Sequence, residues 1–533
     1  MNKKTFFALA IIFTLGLILR LLYFDKLTFE WDQARDAFSA ISIWTGDPVK
    51  IIGANTDIPG VHHGPLYWYF IAPFYFFGHG NPLYLRLALV LLSLIGIYLI
   101  YKISDELFKN NIISGAAALI FAVSTESVQY ARWMSNPAPA LITTALTYLG
   151  IWRIWTKKRW GVPLTLISFA LSIHFQFLLL YHAAIILPLL IIHFRRNKFK
   201  IKRNEVLSLI FSLLILSTFL AAEFKFGFQA VNSLTQFLTA EKSLLVSFTK
   251  ILAKFIDRTA HIFYFNIFSW NMFIAGIIAL FTISYSAFYI YKNKKYKHEV
   301  AFLLIWLFLP VLVFAFDSND SYYTTVGSLY PVIILFLFFI TEIFAKAGNK
   351  KFIYFILLVI VVGQTSKTII ENAKGERLFA INKKMILRAE VNVMDWIYKD
   401  AGGSNFALNT ITNPLYINTT WGYLFNWYGK SKYGYMPSWW GYPQNGQFGS
   451  GVKYSRLDKP VNKNLYLIIE KQAIPKKYEF ALTEFEGRRS EELQTIELDG
   501  FLIQKRRITV DHPFSRDEVN EHVRFYEKEY EKN

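Results

Sequence analysis

Apolar runs of about twenty residues recur along the chain from Thr5 to Thr365, and after Thr368 they stop. Each run is long enough for a helix to cross a hydrocarbon core of roughly 30 Å. The pattern predicts about eleven crossings. They lie near Thr5–Tyr23, Pro82–Ile103, Asn111–Gln129, Pro137–Ile154, Gly161–Phe177, Leu178–His193, Glu205–Glu223, Phe268–Tyr291, Glu299–Phe316, Tyr323–Phe344 and Phe352–Ser366. The first run follows Lys3 and Lys4 and reads as a retained span. No small-residue cleavage site follows it, and Arg20 interrupts its end.

The apolar segment Pro65 to Gly78 is short for a crossing. Counted as one, it would invert every later span and move the basic cluster Arg195 to Arg203 to the other side. It therefore reads as an interfacial or re-entrant helix within a first outer loop that runs from Phe24 to Asn81.

Beyond Thr368 the pattern turns polar and mixed, as in a soluble α/β or α+β domain. Asn382 to Lys399 reads as an amphipathic helix with Ile386, Ala389, Val393, Trp396 and Ile397 on one face. Phe406 to Leu408, Leu465 to Ile469 and Phe501 to Ile503 read as strands. Tyr416 to Tyr454 is rich in Trp, Tyr and Gly, a composition suited to a long loop that contacts sugar rings or a membrane surface. The expected organisation is an α-helical polytopic membrane domain over 1–367 and a soluble extracytoplasmic domain over 368–533.

Composition agrees: 54% of residues are hydrophobic, 18% aromatic and only 18% charged. The formal net charge of +19 could suggest a nucleic-acid partner, but its location argues otherwise. Basic clusters at Arg153 to Arg159, Arg195 to Arg203, Lys292 to Lys297 and Lys346 to Lys351 sit in short loops between apolar runs, where positive charge marks the cytoplasmic side. The expected location is a cell membrane, plasma or inner, with the N-terminus cytoplasmic and the C-terminal domain outside. The chain has no cysteine, which excludes disulfides, thiolate metal sites and a cysteine nucleophile.

Candidate chemistry gathers on the outer side of this topology. Just after the first span comes Phe29-Glu30-Trp31-Asp32-Gln33-Ala34-Arg35-Asp36, in which three- and four-residue spacing lets Asp32, Arg35 and Asp36 share a helix face. The bland alternative is a salt bridge that caps an interfacial helix. The same loop carries His62-His63-Gly64-Pro65-Leu66-Tyr67-Trp68-Tyr69. Two adjacent histidines without a second cluster do not make a metal site. Later outer turns add Tyr130-Ala131-Arg132-Trp133-Met134-Ser135-Asn136-Pro137, then His174-Phe175-Gln176, then Asp317 to Tyr323. Polar groups at span ends are expensive unless paired or used. For His174, a hydrogen-bonded interhelical histidine weighs about as much as a ligand contact.

These motifs resemble the multi-pass glycosyltransferases of the GT-C superfamily, in the protein O-mannosyltransferase and aminoarabinose-transferase branch. The resemblance rests on Trp31-Asp32-Gln33-Ala34-Arg35-Asp36, on Gly64-Pro65-Leu66-Tyr67-Trp68-Tyr69, on the Asn136-Pro137 turn, on His174, and on Glu223-Phe224-Lys225-Phe226-Gly227-Phe228. It departs at His62-His63-Gly64-Pro65, where relatives carry a His-Pro-Pro core, and at Asn136, where many carry Asp. It implies a GT-C-like fold and a polyprenyl-phosphate-linked sugar donor used on the outer face, with the first-loop acid, here Asp32, at the reaction centre.

The expected reaction is transfer of that sugar to an acceptor hydroxyl on a lipid, glycan or protein, with inversion and Asp32 as base. Arg35, Asp36, His62, His63, Tyr67, Arg132, Asn136, His174, Gln176, Tyr322 and Tyr323 are the candidate substrate contacts. No residue is assigned to a metal, and a requirement for a divalent cation is left open. The competing readings are a transporter or flippase of a lipid-linked substrate, an oligosaccharyltransferase-like enzyme, and a membrane anchor for a carbohydrate-binding module. Ser438-Trp439-Trp440-Gly441 lacks the Trp-Trp-Asp signature of the oligosaccharyltransferases.

Overall fold

A computed structural model describes residues 3–46, 49–239, 247–292, 294–314, 322–346, 348–375, 378, 382–453, 463–471, 474–510, 515, 517–522 and 524. The helices are α1 (Lys3–Leu21), α2 (Trp31–Thr45), α3 (Leu66–Phe77), α4 (Pro82–Phe108), α5 (Asn111–Val123), α6 (Thr125–Tyr130), α7 (Pro137–Trp155) and α8 (Gly161–Phe175). After a 3₁₀ turn at Phe177–His182 follow α9 (Ala183–Arg196), α10 (Arg203–Lys225), α11 (Gln229–Thr239), α12 (Phe248–Asn266), α13 (Met272–Lys292), α14 (Lys297–Phe308) and α15 (Val311–Phe314). Then come α16 (Leu329–Lys346), α17 (Lys350–Lys374), α18 (Leu387–Ala401), α19 (Thr419–Leu424), α20 (Lys430–Tyr433) and α21 (Lys476–Gly487).

A helix runs through each expected crossing. Among the described residues, seven helical segments are long and apolar enough to cross a membrane: Lys3–Leu21, Pro82–Phe108, Phe177–Arg196, Arg203–Lys225, Met272–Lys292, Lys297–Phe314 and Lys350–Lys374. Leu66–Phe77, Asn111–Val123, Gly161–Phe175 and Leu329–Phe344 are apolar but shorter. Outward side chains on the long helices are large and bare, with Phe7 71% exposed, Leu214 66% and Phe273 76%. Such surfaces are stable against lipid, where a helix satisfies its own backbone and only its side chains meet the solvent. The chain is a multi-pass membrane protein.

The residues divide into two compact units. The first comprises Met1–Leu22, Pro48–Phe70 and Arg86–Glu371; the second comprises Tyr23–Asp47, Ile71–Leu85 and Asn372–Asn533.

Helix packing in the first unit uses small and hydroxyl-bearing residues, as expected where lipid supplies no hydrophobic drive for helices to associate. Along the α7–α8 pair, Ser172 Oγ donates to Thr143 Oγ1 at 2.8 Å and the Thr147 and Ser168 hydroxyls lie 2.9 Å apart. Gly150 completes the stripe: a Cβ there would fall 2.7 Å from the backbone nitrogen of Thr165. Arg20, on α1, is fully buried. Its guanidinium donates to Ser93 Oγ at 2.9 Å, to the Gly16 and Ala122 carbonyls at 3.0 and 2.9 Å, and to Ser127 Oγ at 3.1 Å. The crossing expected over Asn111–Gln129 is divided at Ser124, whose extended backbone ends α5 while its side chain caps α6.

The second unit holds a five-stranded mixed sheet of order β2-β1-β3-β5-β4, formed by β1 (Ala407–Ile411), β2 (Ser438–Trp439), β3 (Asn464–Ile469), β4 (Ser490–Leu498) and β5 (Phe501–Ile508). β1 runs parallel to β2 and β3, whereas β5 pairs antiparallel with β3 and β4. The three expected strands lie within β1, β3 and β5 or adjoin them. β4 and α21 were not expected, because a mostly exposed edge strand and a weakly apolar helix leave faint periodicity. In α18, Leu387, Ala389, Val393, Met394 and Ile397 are buried, and the helix starts after Ile386 rather than at Asn382.

Candidate active site

In the second unit, α2 carries the acidic segment. A short bridge pins its approach: Thr28 pairs with Ile386, Phe29 N donates to the Met385 carbonyl at 3.0 Å, and Leu387 N donates to that of Leu27 at 2.9 Å. Glu30 then caps α2 through a reciprocal capping box, with the Glu30 backbone donating to Gln33 Oε1 at 3.1 Å. Ala34, Ala37 and Ala40 form the buried face, so the helix packs closely on α19. Phe29 and Phe38 lie against the Tyr423 ring at 5.4 and 5.2 Å.

This packing sorts the three charged side chains by depth. Asp36 is nearly enclosed, at 2% side-chain exposure, Arg35 is at 9%, and Asp32 is at 44%. Arg35 Nη2 and Nε donate to Asp36 Oδ1 at 2.9 and 3.0 Å, and Nη1 donates to Asp32 Oδ1 at 2.7 Å. The guanidinium also lies 4.9 Å from the Trp31 ring centre. Asp32 is thus an open carboxylate braced from below by a buried cation, with its other oxygen outside that bond.

The other candidate substrate residues belong to the first unit. His63 Nδ1 accepts from Phe177 N at 3.1 Å, and its backbone pairs with Gly53 and Ala54. His62 lies on the same hairpin-like turn, bridged to Asn55, and burial lowers its basicity. Tyr67 is buried on α3.

His174 is wholly enclosed. Its Nε2 is 2.6 Å from the Ile215 carbonyl of α10 and 3.4 Å from Thr218 Oγ1. The Gly64 backbone passes so close that a Cβ there would sit 2.0 Å from His174 Nδ1. This arrangement ties α8, α10 and the His62-His63-Gly64 turn together. Gln176 is buried where α8 ends, and its carbonyl accepts from Leu179 N at 2.9 Å.

Arg132 is 4% exposed, donates from Nη1 to the Leu22 carbonyl at 3.0 Å, and is pushed down to about 9 by burial. Asn136 is buried ahead of Pro137 at the start of α7, with Oδ1 enclosed and accepting no hydrogen bond among the described residues. The Tyr323 hydroxyl donates to the Asp57 carboxylate. Tyr322 begins the 3₁₀ turn Tyr322–Thr325, and residues 317–321 of the expected outer turn lie outside the described residues. Among the described residues, no group of three potential ligands is arranged to hold a metal ion.

Glu126, Glu470 and Glu390 are among the buried carboxyl groups not singled out from sequence. Glu126 accepts from Asn266 Nδ2 in the first unit. Its signal was an acid inside an apolar run. In the second unit, Glu470 accepts from Trp421 Nε1 at 3.1 Å and from Asn413 N at 2.8 Å, and burial pushes it up to about 8. Glu390 is completely enclosed and raised well above the usual carboxylate range, first by burial and then by Glu470 and Glu30. It falls on the apolar stripe of α18, three residues after Leu387 and three before Val393, a break in pattern that could have marked it.

Residues 62–221 match the sequence model of the family described as dolichyl-phosphate-mannose-protein mannosyltransferase. The fold is similar to that of the crystal structure of ArnT from Cupriavidus metallidurans bound to undecaprenyl phosphate, at a TM-score of 0.55 and 9% identity over 93% of this chain and 97% of that one. The chain has the ArnT-like GT-C fold. Apo ArnT from the same organism agrees, at a TM-score of 0.52 and 10% identity over 93% and 97% of the two chains. No curated protein matches the chain. The GT-C likeness spans both the helical membrane part and the region that carries the small sheet, and the family match falls on the segment containing His62, His63, Arg132, Asn136 and His174.

Proposed function

We propose that this GT-C-fold protein transfers a sugar from a polyprenyl-phosphate-linked donor to an acceptor hydroxyl on the extracytoplasmic side of a cell membrane, with Asp32 as the base. The observation that carries the reading is the Asp32 carboxylate, open to an incoming group and held at the first turn of α2 by the buried Arg35–Asp36 pair.

The chemistry needs little else from the protein. A lipid-linked phosphate is a good leaving group, so no strong general acid is required. The acceptor hydroxyl gives its proton to Asp32 as its oxygen attacks the anomeric carbon. The bond from that carbon to the phosphate oxygen breaks, and the lipid phosphate departs with the electron pair. In-line displacement inverts the anomeric centre. A base matched to this task contributes about 10²–10⁴-fold in rate.

Arg132, His62, His63, Tyr67, Asn136, Gln176, Tyr322 and Tyr323 are proposed to serve the donor, with Arg132 as the cation for its phosphate. Charge-assisted hydrogen bonds to phosphate are strong where water is scarce. Arg35 and Asp36 are positioning residues for the base. That ArnT was crystallised with undecaprenyl phosphate supports a lipid-linked donor.

The test is transfer from a synthetic polyprenyl-phosphate sugar by the purified full chain, compared with Asp32→Asn. The variant should fold normally and lose about 10²–10⁴-fold in turnover. Full activity in Asp32→Asn would reject the base, and formation of a product that keeps the donor's anomeric configuration would reject in-line displacement.

A further inference from the structure

The Trp- and Tyr-rich stretch after Tyr416 has no part in the reaction just described, yet it lines a cleft of about 580 Å³ in the second unit. Trp427 and Tyr428 form one wall, Asn81 stands in the turn after α3, Arg388 and Asn392 come from α18, and Asp25 from the segment before α2. Ligand sites of this size are typically concave and partly aromatic, with a few fixed polar groups.

Two features show that the cleft is built. Phe425–Gly429 is wound as a π turn between α19 and α20. Such a turn sacrifices regular helix geometry and recurs where side chains are aimed at a functional surface. Opposite it, the Tyr423 hydroxyl donates to the Gly80 carbonyl, and a Cβ on Gly80 would lie 3.1 Å from Trp427 Cδ1. Gly80 has φ +84°, so both its backbone and its lack of a side chain suit this close approach to the indole.

The charges in the cleft are paired. Arg388 Nη2 lies 2.5 Å from Asp25 Oδ2, and Lys432 Nζ lies 3.0 Å from both Asp395 oxygens and donates to Tyr428 Oη at 2.7 Å. This pairing disfavours a phosphate, which needs an uncompensated cation. What remains is an aromatic face beside the His79 imidazole, carboxylate and guanidinium groups and the carboxamides of Asn81 and Asn392, the latter also donating from Nδ2 to Asp499 Oδ2 at 2.7 Å. A pyranose ring lays its C–H face on an indole, while neighbouring hydroxyls both donate to carboxylates and accept from amides and guanidinium.

We propose that this cleft is a carbohydrate subsite that holds a non-reacting sugar of a glycan acceptor. The transferase reading is needed only to call the bound sugar part of the acceptor; sugar binding itself is measured without turnover.

The experiment probes the full-length chain in detergent with an array of neutral and N-acetylated hexose oligosaccharides, with inorganic phosphate as competitor. The wild type should bind at least one glycan. Trp427→Ala and Asn392→Ala should each weaken binding roughly tenfold or more while circular dichroism shows the fold retained, and phosphate should not compete. Binding to no sugar, binding undiminished in both variants, or displacement by phosphate would overturn the subsite. Glycan binding lost in these variants, together with absent transfer activity in the wild type, would leave the cleft standing and sink the transferase reading alone.

Discussion

Arg35 donates to Asp32 across one turn of α2 at 2.7 Å while the same guanidinium grips the buried Asp36. A planar fork with three engaged nitrogens holds two carboxylates at different depths, which a lysine's single ammonium cannot reproduce. Arg35→Lys should therefore lower kcat roughly tenfold with little change in KM, since the proposed base loses its aim and the proposed donor contacts are untouched. Steady-state kinetics on the purified variant check this, and unchanged kcat would reduce Arg35 to a structural tie.

Burial of Glu470 sets the sign of a pH effect in the second unit. Its folded-state value is pushed up from an ordinary 4.5 to about 8, so between those limits the unfolded chain has released a proton that the folded one still holds. Stability is then full below the ordinary carboxylate range and falls as pH rises toward about 8, by at most about 1.4 kcal/mol per pH unit. Glu470→Gln removes the titration. Melting curves between these pH limits should show a shallower decline in the variant, even though its amide meets the Asn413 N–H poorly and lowers the midpoint overall.

Gly150 tests the small-residue seam between α7 and α8. A Cβ would meet both the side chain and the backbone of Thr165, at 2.5 and 2.7 Å, so the helices must separate to admit one. Gly150→Leu is expected to cost about 1–3 kcal/mol or more, read as a lower melting temperature in detergent. No shift would mean that the seam is looser than its hydroxyl ladder implies.

Gly64 is equally constrained by a different neighbour. Gly64→Ala should drive a methyl into the His174 ring and break its hold on the Ile215 carbonyl, lowering thermal stability and transfer together. If the tie is structural, His174→Gln, which can still donate to that carbonyl, should recover more stability than His174→Ala.

Much of the membrane architecture was written in one dimension. A crossing needs only a run of apolar residues of sufficient length, so the helical class and the places of the expected crossings were readable between Thr5 and Thr365, whereas α11 and α12, which lack such a run, were not. The acidic segment was readable for a similar reason: Asp32, Arg35 and Asp36 meet within a single turn, and their spacing alone brings them together.

Depth and partnership were decided by tertiary contacts. Nothing local distinguishes Asp36 from Asp32 as the buried acid; that follows from the packing of α2 on α19, nearly four hundred residues away in sequence. Glu390 and Glu470 come together only because a helix and a strand fold against each other, and the π turn bearing Trp427 has no periodicity to betray it. Hydropathy is a property of each segment and survives in the sequence, whereas burial of a polar group is a property of pairs of segments, and it exists only once the chain has closed on itself.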